Sequence, residues 1–206
     1  MIEKTLLEEI LGIAVSTGAD FAEVFLEKKR NEQIRLLDKK IDAVLDTTIS
    51  GVGIRAFVGT NTVFASTSDV SRNGLVACAK SVSEAVGDAK KYGSIVLSER
   101  IFPNIHPVRI VPSSAEMKYK TDILREADSA ARGYDERISQ ITANLMSVDR
   151  TVQIANTEGL LTSDRHIRTR MAVNATAAAN GENQSGFSMS VSTSPIPRIL
   201  DAILSG

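Results

Sequence analysis

The chain has 206 residues, 43% of them hydrophobic, and a formal net charge of −1 at pH 7. This length is sufficient for a core in one large or two small domains, and the balanced charge gives no general attraction to nucleic acid or to an anionic membrane. We therefore expect neither as a partner. The N-terminal segment carries Glu3, Lys4, Glu8 and Glu9, which exclude a signal-peptide core or a membrane span there and favour a cytoplasmic protein.

Apolar residues at helical spacing predict a first helix over about residues 2 to 16. From Asp20 onward apolar residues alternate with others, which predicts extended chain. We expect two strands joined by a turn at Arg30 and Asn31, and a further short strand near residues 41 to 45. These predicted strands form an antiparallel meander.

The segment GVGIRA, residues 51 to 56, fits the loose dinucleotide-binding pattern Gly-x-Gly-x-x-Gly/Ala. That function requires a helix directly after the glycines, facing the pyrophosphate. Here the period of two continues, with Ile54 on one face and Arg55 on the other. We therefore interpret the segment as one strand of a β-hairpin with its turn at residues 59 to 61. Its two glycines share a face, which indicates a bulge or the close approach of another backbone.

A second helix follows the hairpin. Ser68, Asp69 and Ser71 are alternative N-caps, and apolar residues recur at helical spacing over residues 75 to 86. The single cysteine, Cys78, lies in this apolar run, so we interpret it as a small core residue.

Residues 87 to 112 contain several prolines and are interpreted as a connection with one short strand at residues 94 to 97. The next segment, residues 113 to 116, has the sequence of a capping box. It predicts the start of a third helix that ends at Gly133.

Three β-patterned runs follow, with turns at residues 148 to 150 and 156 to 159. The runs cover residues 137 to 149, 150 to 164 and 166 to 180. The order of helix, hairpin and further strands matches residues 1 to 67, which we interpret as a weak internal repeat.

Together these patterns predict an α+β fold with two layers, in which helices pack on a curved antiparallel sheet in two similar αββ-type units. We expect one domain at residues 1 to 90 and another at residues 113 to 194. A connection at residues 91 to 112 joins them, and residues 195 to 206 form a tail.

Residue types suited to catalysis are scarce. The two histidines, His106 and His166, have no further ligand at the spacing of a metal site, so we expect surface or structural roles for both. The sequence contains no nucleophile elbow and no phosphate-binding loop of the Walker type. It therefore predicts no catalytic residue and no metal ligand in this chain.

The stretch SGVGIRAFVGTNTVFASTSDVS, followed by an apolar helix, resembles the N-terminal motif of the TldD/PmbA family, once described as modulators of DNA gyrase and now grouped as metalloproteases. The matching residues are Gly51, Gly53, Arg55, Phe64, Ala65, Ser66 and Thr67. Val63 departs from the family pattern, which usually has glycine there. A second stretch, ANTEGLLTSDRHIRTRMAVNATAAANGENQSGF, resembles another family region on its TldD side, with Asn156 and Gly159 at a turn.

The resemblance implies the N-terminal domain of a zinc metallopeptidase, which builds the subunit interface and the wall of a cleft for an unfolded peptide. The family's zinc motif, a His-Glu-x-x-x-His helix with a distant cysteine in a C-terminal domain, has no counterpart here. Zinc is therefore expected only in a domain outside these residues. A different class of function stays open, namely a stand-alone adaptor or scaffold without catalysis.

Partners follow from the same surfaces. Strands that carry glycine and small hydroxyl residues suit an unfolded peptide, because an extended chain can approach them and form backbone hydrogen bonds. The strand over residues 167 to 179 ends in three alanines, and we expect it to leave an edge uncovered. We therefore also expect pairing with a second copy or with a related family subunit.

Overall fold

The computed structural model of the chain describes residues 1–87, 93–103, 108 and 110–192. The described part contains three α-helices and seven strands. The helices are α1 (Lys4–Ala14), α2 (Arg72–Val86) and α3 (Met117–Tyr134). The strands are β1 (Phe21–Leu37), β2 (Lys40–Val58), β3 (Asn61–Thr67), β4 (Ser98–Glu99), β5 (Ile138–Asn156), β6 (Leu160–Ala179) and β7 (Glu182–Ser192).

The strands form an open sheet in the order β3-β2-β1-β5-β6-β4, and β7 pairs with β6. The β2–β3 and β6–β7 pairs are antiparallel, whereas the two-residue strand β4 runs parallel to β6. The predicted α+β class, with helices packed on an antiparallel sheet, is confirmed.

The residues divide into two compact units that are each discontinuous in sequence. The first unit takes its described residues from 1–29, 49–103 and 150–165, and the second from 30–48, 108–149 and 166–192. The long strands β1, β2, β5 and β6 contribute residues to both units. The sequential domain boundaries expected from the sequence stay a prediction.

The core of the first unit is built by two helices on one face of β1 and β2. Apolar residues of α1 recur at intervals of three and four, so they share the helix face that packs inward. The main core residues are Leu7, Ile10, Leu11, Ala14, Ala22, Val24, Leu26, Val52, Ile54, Ala56, Leu75, Cys78, Ala79 and Val82. Because side chains alternate along a strand, the residues between these on β1 and β2 lie on the opposite face.

The second unit has its own core, formed by α3 against β1, β5 and β6. Its buried residues are Ile34, Leu36, Ile123, Leu124, Ala127, Ile141, Ala143, Leu145, Met171 and Val173. A buried ion pair accompanies them: Nζ of Lys120 on α3 lies 2.5 Å from Oε1 of Glu32 on β1. This pair fixes the first turns of α3 to the strand.

Several local predictions are confirmed. Val58 pairs with Asn61, so the hairpin turn lies where the sequence places it. Of the three candidate caps for α2, Ser71 is the one used, because its Oγ accepts a hydrogen bond from the backbone N–H of Gly74 at 3.2 Å. The helix ends at Gly87, which has a φ of 80°.

The turn predicted at Arg30 and Asn31 is wrong, since β1 is continuous. β1 lies between β2 and β5, so a turn within it would remove backbone hydrogen bonds on both sides. This pairing outweighs the local preference of asparagine for turns. For the same reason β5 continues through residues 148 to 150, and β2 absorbs the short strand predicted near residues 41 to 45.

The connection also differs in detail from the prediction. Its strand is β4, which begins after residues 94 to 97. The capping box is wrong as well, because Pro112–Ser114 forms a short 3-10 turn. The hydroxyl of Ser114 donates to the carbonyl of Val111 at 2.8 Å and therefore serves this turn instead of α3.

The strand β7 is not among the predicted strands. This strand pairs with β6 over the whole range from Thr169 with Ser192 to Ala179 with Glu182. It therefore covers the edge that we expected β6 to leave open, and that expectation is wrong. Within the part of the chain that the structure describes, the exposed edge belongs to β7 instead.

Candidate functional site

A cleft of about 600 Å³ lies in the first unit, on the face of the sheet opposite α1 and α2. Three neighbouring strands and the residue after β3 line it. β1 contributes Glu23, Phe25 and Glu27, β2 contributes residues 49 to 53 and Arg55, and the β3 side contributes Phe64, Ser66, Thr67 and Ser68. The cleft thus collects most of the hairpin motif that the sequence singles out.

The two glycines of β2 form the floor of the cleft. Neither has a side chain, so at these positions β2 leaves a depression between the side chains of β1 and β3. A Cβ atom at Gly53 would lie 2.9 Å from Cε2 of Phe64, and one at Gly51 would lie 3.3 Å from the backbone oxygen of Thr67. The bulge, or the approach of another backbone to this bare surface, that the sequence suggests stays a prediction, because the atom near Gly51 belongs to the paired strand β3 and the one near Gly53 to an aromatic ring.

Apolar side chains border this floor. Ile49 and Phe64 are each 64% exposed, which is unusual for residues of this size on a strand. Phe25 of β1 stands on the other side of the glycines. Together they form an apolar surface that is open to a ligand.

The charges of the cleft are paired with one another. Nη2 of Arg55 donates to Oε1 of Glu23 at 2.9 Å, and Nη2 of Arg150 donates to Oε2 of Glu27 at 2.6 Å. The guanidinium of Arg150 also lies 6.0 Å from the ring centre of Phe25. The wall formed by β1 is therefore electrically balanced.

The remaining motif residues serve the fold outside the cleft lining. Ala65 packs against the helix-covered core. Asn156 holds the turn between β5 and β6, because its Oδ1 accepts hydrogen bonds from the backbone N–H groups of Glu158 and Leu160, each at 3.1 Å. Gly159 in the same turn has a φ of 87°.

Sequence reasoning misses the wall residues Phe25 and Ile49 and the paired glutamates. The available signal is weak: Phe25 is a large apolar residue on a strand face otherwise occupied by Glu23 and Glu27. Only the pairing of β1 with β2 brings these side chains next to the glycines.

The described residues do not fit a zinc site. No group of three or more His, Cys, Asp or Glu side chains among them could hold a metal ion. Cys78 is buried, and burial raises the pKa of its thiol, which disfavours the thiolate that metals bind. His166 lies exposed on β6, and His106 is outside the described residues. We derive no catalytic step from these groups.

Within the described ranges, no helix combines the length and the apolar character that a membrane span requires.

Comparison with known proteins identifies the fold. Residues 22–87 match the model of "PmbA/TldA metallopeptidase domain 1", and residues 111–202 match that of the "PmbA/TldA metallopeptidase central domain". A metalloprotease TldD homolog of Haemophilus influenzae is 28% identical over 188 residues, which cover 89% of this chain and 38% of the relative. A TldD homolog of Buchnera aphidicola is 29% identical over 143 residues, covering 68% of this chain and 29% of the relative.

Solved structures have the same fold. One from Thermotoga maritima, named as a modulator of a DNA gyrase, gives a TM-score of 0.76 at 16% identity and covers 98% of this chain and 46% of its own. TldE from Thermococcus kodakarensis gives 0.68 at 12% identity, with 97% and 46% covered. The architecture is that of the first two domains of a metallopeptidase family. The chain belongs to the TldD/PmbA family, and it spans less than half the length of these relatives.

Proposed function

We propose that these residues form the substrate cleft and subunit interface of a TldD/PmbA-type zinc metalloprotease that acts on unfolded peptides. The zinc would be held by a domain outside this chain. The observation that carries the proposal is the glycine-floored cleft beside the strand β3.

Among the described residues, the strand β3 offers an open edge. It is the terminal strand on its side of the sheet, and its sequence NTVFAST contains neither a charge nor a proline. Proteins commonly place such residues on exposed edges to prevent the addition of another strand. An extended peptide is the natural ligand of an unprotected edge, and its backbone provides most of the affinity.

The hairpin register defines which groups of β3 face that edge. A loop of two residues separates Val58 from Asn61, which places these two residues in a hydrogen-bonded pair. Along an antiparallel ladder, hydrogen-bonded pairs alternate with pairs whose N–H and C=O groups point outward.

Phe57 and Thr62 form the next, outward-pointing pair. In agreement, the carbonyl of Phe57 accepts a hydrogen bond from the backbone N–H of Asp20 at 2.8 Å, on the side away from β3. By the same alternation, the backbone groups of Thr62, Phe64 and Ser66 point to the open edge. They provide donors and acceptors at every second residue for a peptide strand.

The subunit interface belongs to β7 in this proposal. Three apolar side chains, Phe187, Met189 and Val191, alternate along this edge strand and are all exposed. Glu182 at its start is the one charged residue of β7, and a largely uncharged edge strand with an apolar row favours pairing with another strand. The partner is a second copy of this chain or a related family subunit. TldE, which has the same fold, is an example of such a related protein.

A binding titration tests the proposal. A short unstructured peptide with a fluorescent label is titrated with the purified chain, and fluorescence anisotropy is followed with and without added zinc. We expect saturable binding with a Kd in the range of about 1 to 100 μM and no cleavage. A lack of binding up to about 1 mM chain contradicts the proposal.

A further inference from the structure

The cleft contains a pocket whose chemistry limits the side chains it accepts. Its floor lies at Gly51, and its walls are the exposed side chains of Phe64 and Ile49 and the half-buried ring of Phe25. Water contacts this apolar surface in the free chain. A ligand that covers it therefore gains free energy in proportion to the apolar area that it brings.

Charged ligand groups gain little in the same place. Each glutamate of the β1 wall is already bound by an arginine, Glu23 by Arg55 and Glu27 by Arg150. A charged side chain in the pocket would lose water without finding a free partner of opposite sign. The balanced charges thus favour an uncharged occupant.

The side chains that β3 presents to the cleft differ in size along the strand. Phe64 has a large ring, whereas Ser66, which pairs directly with Gly53, has a small side chain. A peptide strand on the open edge of β3 directs every second side chain to the face that carries the cleft. Neighbouring strands lie about 4.8 Å apart, so Gly51 on β2 is two spacings from a peptide on β3. Only a long side chain that passes over Ser66 can approach it.

We infer that this pocket selects a long apolar side chain, such as Phe or Met, in the bound peptide. The inference rests on the proposed peptide function and adds its specificity. Short side chains do not reach the floor at Gly51, and charged ones lose hydration there. The cleft therefore takes unfolded segments that carry the residues normally buried in a folded core.

Matched peptides test the inference with the same anisotropy assay. Four unstructured peptides differ at one central residue, which is Phe, Met, Ser or Lys. We expect the Phe and Met peptides to bind at least about tenfold more tightly than the Ser and Lys peptides. Equal affinities of all four overturn the pocket while leaving the proposed function intact, whereas no binding by any peptide removes both.

Variants of the pocket residues test whether the preference for Phe over Ser arises there. Gly51→Val fills the floor and should reduce the preference for Phe over Ser to less than about threefold, with the Ser peptide still bound. Gly133→Ala is the control, because no described atom lies within 4 Å of a Cβ placed there. Since Phe64 is exposed, Phe64→Ala tests one wall without disturbing the core. An undiminished preference in both Gly51→Val and Phe64→Ala overturns the assignment.

Discussion

The ring of Phe64 lies over Gly53, so that a Cβ atom on this glycine would be 2.9 Å from Cε2 of the ring. The contact places an aromatic side chain of β3 above the bare backbone of β2. It explains physically why the motif combines a glycine on one strand with a phenylalanine on the next.

Replacement of Gly53 by alanine tests this contact. We expect the ring of Phe64 to move aside, because its far end is solvent-exposed, and stability to change by less than about 1 kcal/mol. Peptide affinity should nevertheless fall, since the displaced ring changes the cleft. Thermal unfolding and anisotropy measure the two effects separately. Gly186→Ala, where no described atom crowds a new Cβ, is the control.

The buried pair of Lys120 and Glu32 is expected to be important for stability. Their side chains are only 2% and 10% exposed. Lys120→Ala leaves a buried carboxylate without its partner, which costs about 3 to 5 kcal/mol. Urea unfolding measures the loss. Lys118→Ala is a matched control from the same helix, because its side chain is 81% exposed and its ion pair contributes little.

An effect of Lys120→Ala no larger than that of Lys118→Ala would contradict this assignment. The double replacement Lys120→Met with Glu32→Leu removes both charges together. It should recover most of the lost stability, because neither charge is then left buried alone.

The turn residues Asn156 and Gly159 are predicted to act through stability. Gly159→Ala adds a Cβ at 3.0 Å from the backbone oxygen of Val96 in a backbone conformation with φ of 87°. Gly181→Ala has a similar φ of 80° but no described atom within 4 Å, so it carries only the conformational cost of about 1 kcal/mol. We expect Gly159→Ala to lose clearly more than Gly181→Ala in urea unfolding.

The variants Gly159→Ala and Asn156→Ala should both bind peptide as the unmodified chain does, at temperatures where they remain folded. A selective loss of peptide affinity in Asn156→Ala, with unchanged stability, would show that the turn belongs to the binding site.

The edge strand β7 is predicted to pair two subunits. Met189→Lys places a charge in the exposed apolar row and should weaken association, whereas Asn183→Lys near the start of the strand should have a smaller effect. Sedimentation velocity at micromolar protein measures the dimer. A stable interface buries about 1,200 Å² or more. A chain that is monomeric at every concentration, or a dimer insensitive to Met189→Lys, contradicts the prediction.

The alternation of apolar residues predicts the helices and the central hairpin, because these depend on local spacing. The continuity of β1 through Arg30 and of β5 through residues 148 to 150 depends on neighbouring strands, which local spacing does not contain. Likewise β7 is not predicted, although its residues 187 to 192 alternate apolar residues with serine. Its first residues, 182 to 186, are polar or glycine and resemble a turn, and the pairing with β6 extends the strand through them.

The candidate site divides in the same way. The hairpin motif predicts Gly51, Gly53, Phe64 and Ser66, which the structure places around one cleft. Phe25 reaches that cleft only through the pairing of β1 with β2. The spacing of residues within one segment therefore cannot predict its position. The site therefore combines a local motif with a wall that only the sheet brings together.

Amide hydrogen exchange, followed by NMR with and without bound peptide, tests the central claim most directly. The outward amides of Thr62, Phe64 and Ser66 should exchange more slowly in the complex, because they donate to the peptide backbone. Those of Val63 and Ala65 already pair with β2 and should change little. Unchanged exchange at the three outward amides under saturating peptide would contradict binding along β3.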